Sequence, residues 1–303
     1  MKTQTEKKIR ELKKQKNAII LAHYYTPSEI QEVADYVGDS FYLAKIAKNS
    51  DADMIIFCGV SFMGESAKIL NPKKKVLMPD ISADCPMARM VKQGKIKEMR
   101  AKYEDLAVVC YINSTAELKC QSDVCVTSSN AVKIVKNLPN KNIFFIPDQN
   151  LGKFVAEKVP EKNIILNDGY CPIHVRISTE EVLENKKLHP NALVLTHPEC
   201  EERILNLSDF IGSTAEIIDY AKQSKNSEFI ICTEDGVKYQ LERDNPNKTF
   251  HFTQTRPCCV DMKLNTLEKL LKVLETEENE IKINEEIINK AILPLDKMLE
   301  LAK

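Results

Sequence analysis

The chain has 303 residues, 43% of them hydrophobic and 29% charged, enough for two or three small domains or one large one. A formal net charge of −1 and a pI of about 6.6 give no electrostatic case for a nucleic-acid or membrane partner. The first 16 residues are charged and hold no apolar core, and no apolar run reaches bilayer length, so neither a secretory signal nor a span is expected and the expected location is the cytoplasm.

Residues 3–15 read as an amphipathic helix with Ile9 and Leu12 inward. The apolar run 18–22 is long enough for a buried strand, too short for a helix, and ends in His23 and Tyr25. Alternate residues of a strand face the same side, so these two side chains leave together. A short helix follows, with Ser28 as its expected N-cap, and the turn at Gly38, Asp39 and Ser40 opens another. Strand 54–59, helix 61–70 with Pro72 past its end, and strand 75–80 lead to a loop carrying Cys85.

The order then repeats. Helix 93–103 leads to a strand ending at Tyr111 and Asn113, then helix 114–119, a turn through Ser128 into helix 131–138, strand 142–148, helix 150–159, strand 164–168 and Cys171. A third copy runs from helix 178–188 to a strand ending at His197 and Glu199. Helix 198–205, a turn at Ser213 and Thr214, strand 228–236, helix 235–243, strand 249–252 and a loop with Cys258 and Cys259 complete it. Helices at 264–275 and 283–302 close the chain, the second interrupted at Pro294.

Three markers keep step. His23, Tyr111 and His197 stand 88 and 86 residues apart, as do Ser40, Ser128 and Thr214, while Cys85, Cys171 and Cys259 stand 86 and 88 apart. Alternating helices and strands imply an α/β fold of three homologous parallel-sheet α/β/α layers around a pseudo-threefold axis with a central active site. The expected segments are 1–87, 88–173 and 174–262 for the repeats and 263–303 for the C-terminal helices.

The turns place hydroxyls and free N–H groups at helix starts, which suits phosphate or carboxylate; three on one cavity favour a ligand with several negative charges over plain capping. Among the strand-end residues Glu199 is the one carboxylate and the natural general base, tuned by burial beside His197. Ten cysteines in a reducing compartment do not read as a disulfide framework. Cys58, Cys110 and Cys232 lie in apolar strand runs and read as core, whereas the loop cysteines do not. One thiolate per copy gives three, one short of the usual four on a cubane cluster, which would leave an iron open to substrate; the same thiolates also suit zinc or a redox role.

The stretches AHYY (22–25), GDS (38–40), YINS (111–114), CVTSSNA (125–131), PDQNLG (147–152), YCPIH (170–174), THPEC (196–200), IGSTA (211–215) and CVDMKLN (259–265) resemble the quinolinate synthase family over nearly the whole chain. The resemblance implies a [4Fe–4S] cluster and condensation of iminoaspartate with dihydroxyacetone phosphate, with loss of phosphate and two waters, to give quinolinate for NAD synthesis. It implies a functional link to an L-aspartate oxidase or an aspartate dehydrogenase. Cys85 and Cys171 match the first two cluster ligands, and Cys259, two residues before Asp261-Met262, matches the third where Cys258 does not. The C-x-x-C-x-x-C run of many relatives is absent, which argues against a regulatory disulfide. Glu199, Tyr25, Tyr111 and His23 match catalytic positions. Ser40, Asn113, Ser128, His174, His197, Ser213 and Thr214 match further substrate-binding positions. Two rivals are an iron–sulfur radical enzyme of the diphthamide-synthesis type, which should lack these strand ends, and a non-catalytic iron–sulfur redox sensor, which leaves Tyr25, Asn113 and Glu199 unexplained.

Overall fold

The structure, a computed structural model, describes residues 3–303; Met1 and Lys2, at the head of the first expected segment, lie outside the described residues. Its strands fall into three separate four-stranded sheets, each wholly parallel. The first holds β1 (Ala18–His23), β2 (Tyr36–Gly38), β3 (Met54–Cys58) and β4 (Lys75–Leu77) in the order β2-β1-β3-β4. The second holds β5 (Leu106–Tyr111), β6 (Val124–Val126), β7 (Asn142–Ile146) and β8 (Asn163–Leu166) in the order β6-β5-β7-β8. The third holds β9 (Leu193–Thr196), β10 (Phe210–Ile211), β11 (Glu228–Cys232) and β12 (Thr249–His251) in the order β10-β9-β11-β12. The central strands are continuous apolar runs because helices cover both faces of a parallel sheet.

Each layer has a strand that the apolar pattern does not announce. β2, β6 and β10 span two or three residues where a turn is expected. At that length neither alternation nor an apolar run is visible, and pairing beside the first strand makes them strands. An aspartate sets each pairing. Asp35, Asp123 and Asp209 accept the backbone N–H of Ile20, Val108 and Val194 at 2.8, 2.7 and 2.8 Å. Each also donates its own N–H to the carbonyl of the same residue. These aspartates are 88 and 86 residues apart, a fourth marker in step.

Two capping expectations differ. Pro27, not Ser28, caps the helix Ser28–Val33, since its extended backbone precedes the first turn and Ser28 makes no cap bond. Pro294 does not interrupt the last helix, which runs unbroken over Glu285–Leu301 and forgoes one backbone bond there. That helix packs on β6 and on the helices Ser61–Leu70 and Ala116–Lys119, so it bridges the first two layers. One apolar cluster joins those layers and includes Leu295 and Met298 of this helix. The third layer keeps its own clusters around Phe229 and Ile204. The helix Leu267–Thr276 packs on the first helix, Gln4–Gln15. It ends at Glu277 in the left-handed region (φ 56°), an uncommon conformation for a residue with a Cβ, and this carboxylate pairs with Lys16 and Lys75. Among the described residues no helix is long and apolar enough to cross a membrane.

Candidate active site

Parallel sheets direct all strand carboxyl ends to one edge, and here the three edges share a cavity of about 220 Å³, the scale of a small metabolite. His23, Tyr25, Ser40, Tyr111, Asn113, Ser128, His174, His197, Glu199 and Thr214 all line it, with Cys85, Cys171 and Cys259. Ser213 does not. It is fully buried and serves as N-cap of the helix Thr214–Gln223, in a capping box with Glu216. Adjacent hydroxyls at a helix start point in different directions, and here only Thr214 reaches the cavity. Ser40 is likewise the first helical residue after the N-cap Asp39, whereas Ser128 stands two residues ahead of the N-cap Asn130.

The two strand-end histidines share one local geometry. The Tyr25 amide donates to His23 Nδ1 at 3.2 Å, and the Glu199 amide donates to His197 Nδ1 at 3.2 Å. With Nδ1 accepting, Nε2 carries the proton; that of His197 lies 3.3 Å from Ser128 Oγ. Burial drives both imidazoles down to about pKa 3, so they are neutral donors at physiological pH.

Glu199 is buried with its Oε2 2.8 Å from His174 Nδ1 and its Oε1 3.4 Å from Asn113 Nδ2. Burial opposes its ionisation, but the attraction of His174 and the hydrogen bonds it receives bring it down to about 2. It is therefore an anion held by these partners, and the expected tuning by burial is outweighed by them. A chain of hydrogen bonds continues from it. His174 Nε2 is 2.9 Å from Thr233 Oγ1, which is 2.8 Å from the Tyr25 hydroxyl, itself 2.7 Å from Thr214 Oγ1. Burial and the Glu199 charge push the Tyr25 and Tyr111 phenols well above their ordinary range, so both stay protonated. Asn113 Oδ1 is buried without a partner among the described residues, an acceptor left for a ligand.

The residues fit a cluster of soft metal. Cys85, Cys171 and Cys259 bring one thiol from each repeat to a single cavity, whose lining also includes Cys258. Burial raises all three thiols, Cys259 to about 11, so they need a bound cation to stay ionised. Cys85 feels both Cys259 and Glu199, whereas the neighbouring Cys258 is the more open thiol and sits beside Asp235. Cys58, Cys110 and Cys232 are buried in the core as expected.

Several cavity groups were not singled out from the sequence. Glu234, which lines the cavity, and Thr233, which bonds to His174 and Tyr25 behind it, follow β11 inside the run TEDG, which reads as a strand end. Arg176, exposed, is the one arginine or lysine among the described residues lining the cavity, and YCPIHVR placed it near Cys171. Outside the cavity the remaining histidines, His189 and His251, each lie 3.2 Å from Glu228 Oε1. Their rings stack at 3.5 Å and 16°. A metal bound by imidazole lies in the ring plane, and two near-parallel planes that far apart cannot share one, so this group is a hydrogen-bonded stack and not a chelate.

One small-molecule cavity at the pooled strand ends of three sheet layers is the layout of a triplicated α/β enzyme. The chain belongs to the quinolinate synthetase A protein family, whose model matches residues 7–300. It is 57% identical over 295 residues to the quinolinate synthase of Fusobacterium nucleatum, covering 97% of this chain and 98% of that one. Against the quinolinate synthase of Caldicellulosiruptor saccharolyticus the identity is 52% over 297 residues, covering 98% of each. Against that of Aquifex aeolicus it is 48% over 303 residues, covering 98% and 94%.

Proposed function

We infer that the cavity condenses iminoaspartate with dihydroxyacetone phosphate to give quinolinate, phosphate and two waters, the reaction of a quinolinate synthase in NAD biosynthesis. The observation that carries this is the meeting of three loop thiols, one per repeat, with Tyr25, Tyr111, Glu199 and neutral histidines in one cavity. Cys85, Cys171 and Cys259 would hold a [4Fe–4S] cluster, which supplies a Lewis-acidic iron with an open coordination position.

The remaining chemistry belongs to the chain. The substrates bring carboxylates and a phosphate, so protonated imidazoles are not required if neutral donors are well placed. His23 and His197 offer Nε2–H, and Ser40, Ser128 and Thr214, which line the same cavity, offer hydroxyls that would suit the phosphate. Tyr25 is oriented by Thr214 and Thr233 to donate to a departing or developing oxygen. Tyr111 and Asn113 complete the polar wall. Glu199 accepts from His174 Nδ1 and, through His174 and Thr233, reaches Tyr25. That route lets protons move between carbon, nitrogen and oxygen without bulk water. Iminoaspartate would come from an L-aspartate oxidase or an aspartate dehydrogenase in the cytoplasm, with no nucleic-acid or membrane partner. The test is to give anaerobically reconstituted protein both substrates and measure quinolinate. Iron-loaded protein that forms none refutes the reading.

A further inference from the structure

A fifth position keeps the spacing of the repeats. Two residues past the third strand of each chain segment stand Val60, Asp148 and Glu234, 88 and 86 residues apart. The two carboxylates are among the most deeply buried in the protein, at 0% and 1% exposure. Each divides its oxygens in the same way. Asp148 Oδ1 caps the following helix by accepting the Leu151 N–H at 2.7 Å, and its Oδ2 accepts the N–H of Cys171 at 3.1 Å. Glu234 Oε2 caps the following turn by accepting the Gly236 N–H at 2.7 Å, and its Oε1 accepts the N–H of Cys259 at 2.9 Å.

Capping explains one oxygen of each residue. It does not explain the other, which reaches 23 and 25 residues along the chain to a cysteine amide, in both repeats alike. Val60 has no oxygen to give, so the first cysteine loop is held otherwise: the Asp84 N–H donates to Asp261 Oδ1 at 3.2 Å, in the third cysteine loop. Glu234 has one more partner. Lys263 Nζ donates to Glu234 Oε1 at 2.7 Å and to the Tyr25 carbonyl at 2.8 Å. The lysine therefore ties the third cysteine loop to the backbone of a substrate-site tyrosine in the first repeat.

We propose that Asp148 and Glu234 are positioning residues that fix the backbone of Cys171 and Cys259 so that their thiols converge on one metal cluster, with Lys263 coupling the second of these anchors to Tyr25. This rests on the reading of Cys85, Cys171 and Cys259 as cluster ligands. A carboxylate is suited to the task because its two oxygens serve two N–H groups at once, one in the element that follows it and one in the cysteine loop. An amide in its place offers a single acceptor oxygen, so Asp148→Asn and Glu234→Gln keep shape and volume but leave one of the two N–H groups unpaired.

The experiment uses anaerobically reconstituted full-length protein and follows iron release to a ferrous chelator, together with the thermal midpoint of the metal-free chain. Asp148→Asn and Glu234→Gln are each expected to release iron at least tenfold faster than the unaltered chain. The control is Asp123→Asn, which disturbs a strand-anchoring carboxylate away from the cavity and is expected to lower the thermal midpoint without changing the release rate. Release within twofold of the unaltered chain in both cavity variants overturns the proposal, as does a faster release that Asp123→Asn reproduces. The two variants are independent arms, so one that fails to fold leaves the other to decide. Cys171→Ser tests the reading beneath. If the unaltered chain binds iron and Cys171→Ser does not, that reading stands whatever the positioning variants do; if both bind iron alike, the ligand assignment and the proposal fall together.

Discussion

Replacing Glu199 by Gln tests the centre of the proposed mechanism, in which this carboxylate has two separable tasks. It orients His174 through a 2.8 Å contact, and it is a buried anion at the reacting site. Gln keeps the shape, and its carbonyl oxygen can still accept from His174 Nδ1. The exchange then costs about the difference between a charge-assisted and a neutral hydrogen bond, on the order of 1 kcal/mol, or roughly fivefold to tenfold in rate. If the carboxylate also takes part in moving protons, the loss should be about 10²–10⁴-fold in kcat. We expect the larger figure, with iron content, cluster absorbance and KM near those of the unaltered chain. The assay is anaerobic quinolinate formation at saturating substrates, with iron measured on the same samples. A loss below tenfold refutes the proton role and leaves Glu199 as a positioning residue for His174; loss of the cluster makes it structural. The pH dependence gives a second check. The pKa of Glu199 is depressed to about 2, so the stability it contributes is present above its unfolded value of 4.5 and is lost as pH falls through about 2. Glu199 should therefore impose no acid limb on activity between pH 5 and 7, roughly three units or more above that folded value.

Cys85→Ser, Cys171→Ser and Cys259→Ser should each lose the bound iron and its visible absorbance, while Cys258→Ser keeps both; iron retained by Cys259→Ser and lost by Cys258→Ser would reverse the assignment. Ser213→Ala removes a helix cap and should cost about 0.5–2 kcal/mol of thermal stability with activity intact, whereas Thr214→Ala should raise KM for dihydroxyacetone phosphate at unchanged stability. Gly236→Ala would place a Cβ 2.7 Å from Tyr25 Cα. It should displace Tyr25 and lower kcat with the iron content unchanged, and full activity would show that this close approach is dispensable.

Much of the architecture was legible because triplication writes the same pattern three times. The long strands β1, β5 and β9 are apolar runs ended by polar residues, and His23, Tyr111 and His197 mark those ends. β2, β6 and β10 were not legible, since two or three residues carry no period and their strand state comes from pairing. The cavity shows the same divide. Residues at strand ends could be placed by alternation, but Ser213 and Thr214 both sit at a helix start, and the direction in which each hydroxyl points depends on helix phase. Thr233 and Lys263 escape the sequence because their bonds to Tyr25 join segments 208 and 238 residues apart, and Glu234 because its partners Cys259 and Lys263 stand 25 and 29 residues further on.

The same repeats explain why the site is not threefold. At the second polar position of each first strand the chain places Tyr25, Asn113 and Glu199, and past each third strand Val60, Asp148 and Glu234. Like charges about 4 Å apart repel by about 4 kcal/mol at an effective dielectric constant of 20. A symmetric set of glutamates facing a small cavity would therefore oppose its own ionisation, and would also repel anionic substrates and thiolates. Divergence removes the conflict. Glu199 faces the cavity as a fixed anion, with His174 beside it. Burial and the charge of Glu199 push Asp148 well above the usual carboxylate range, although it accepts the N–H groups of Leu151 and Cys171. Glu234 is raised to about 7 by burial, with Lys263 opposing the shift at 2.7 Å. The two further carboxylates thus turn their oxygens toward N–H groups of the chain, and the repeat that lacks one, at Val60, anchors its cysteine loop to Asp261 of the third. Three copies of one fold supply the positions, and it is the differences between copies that separate binding, proton transfer and the holding of thiols into distinct residues.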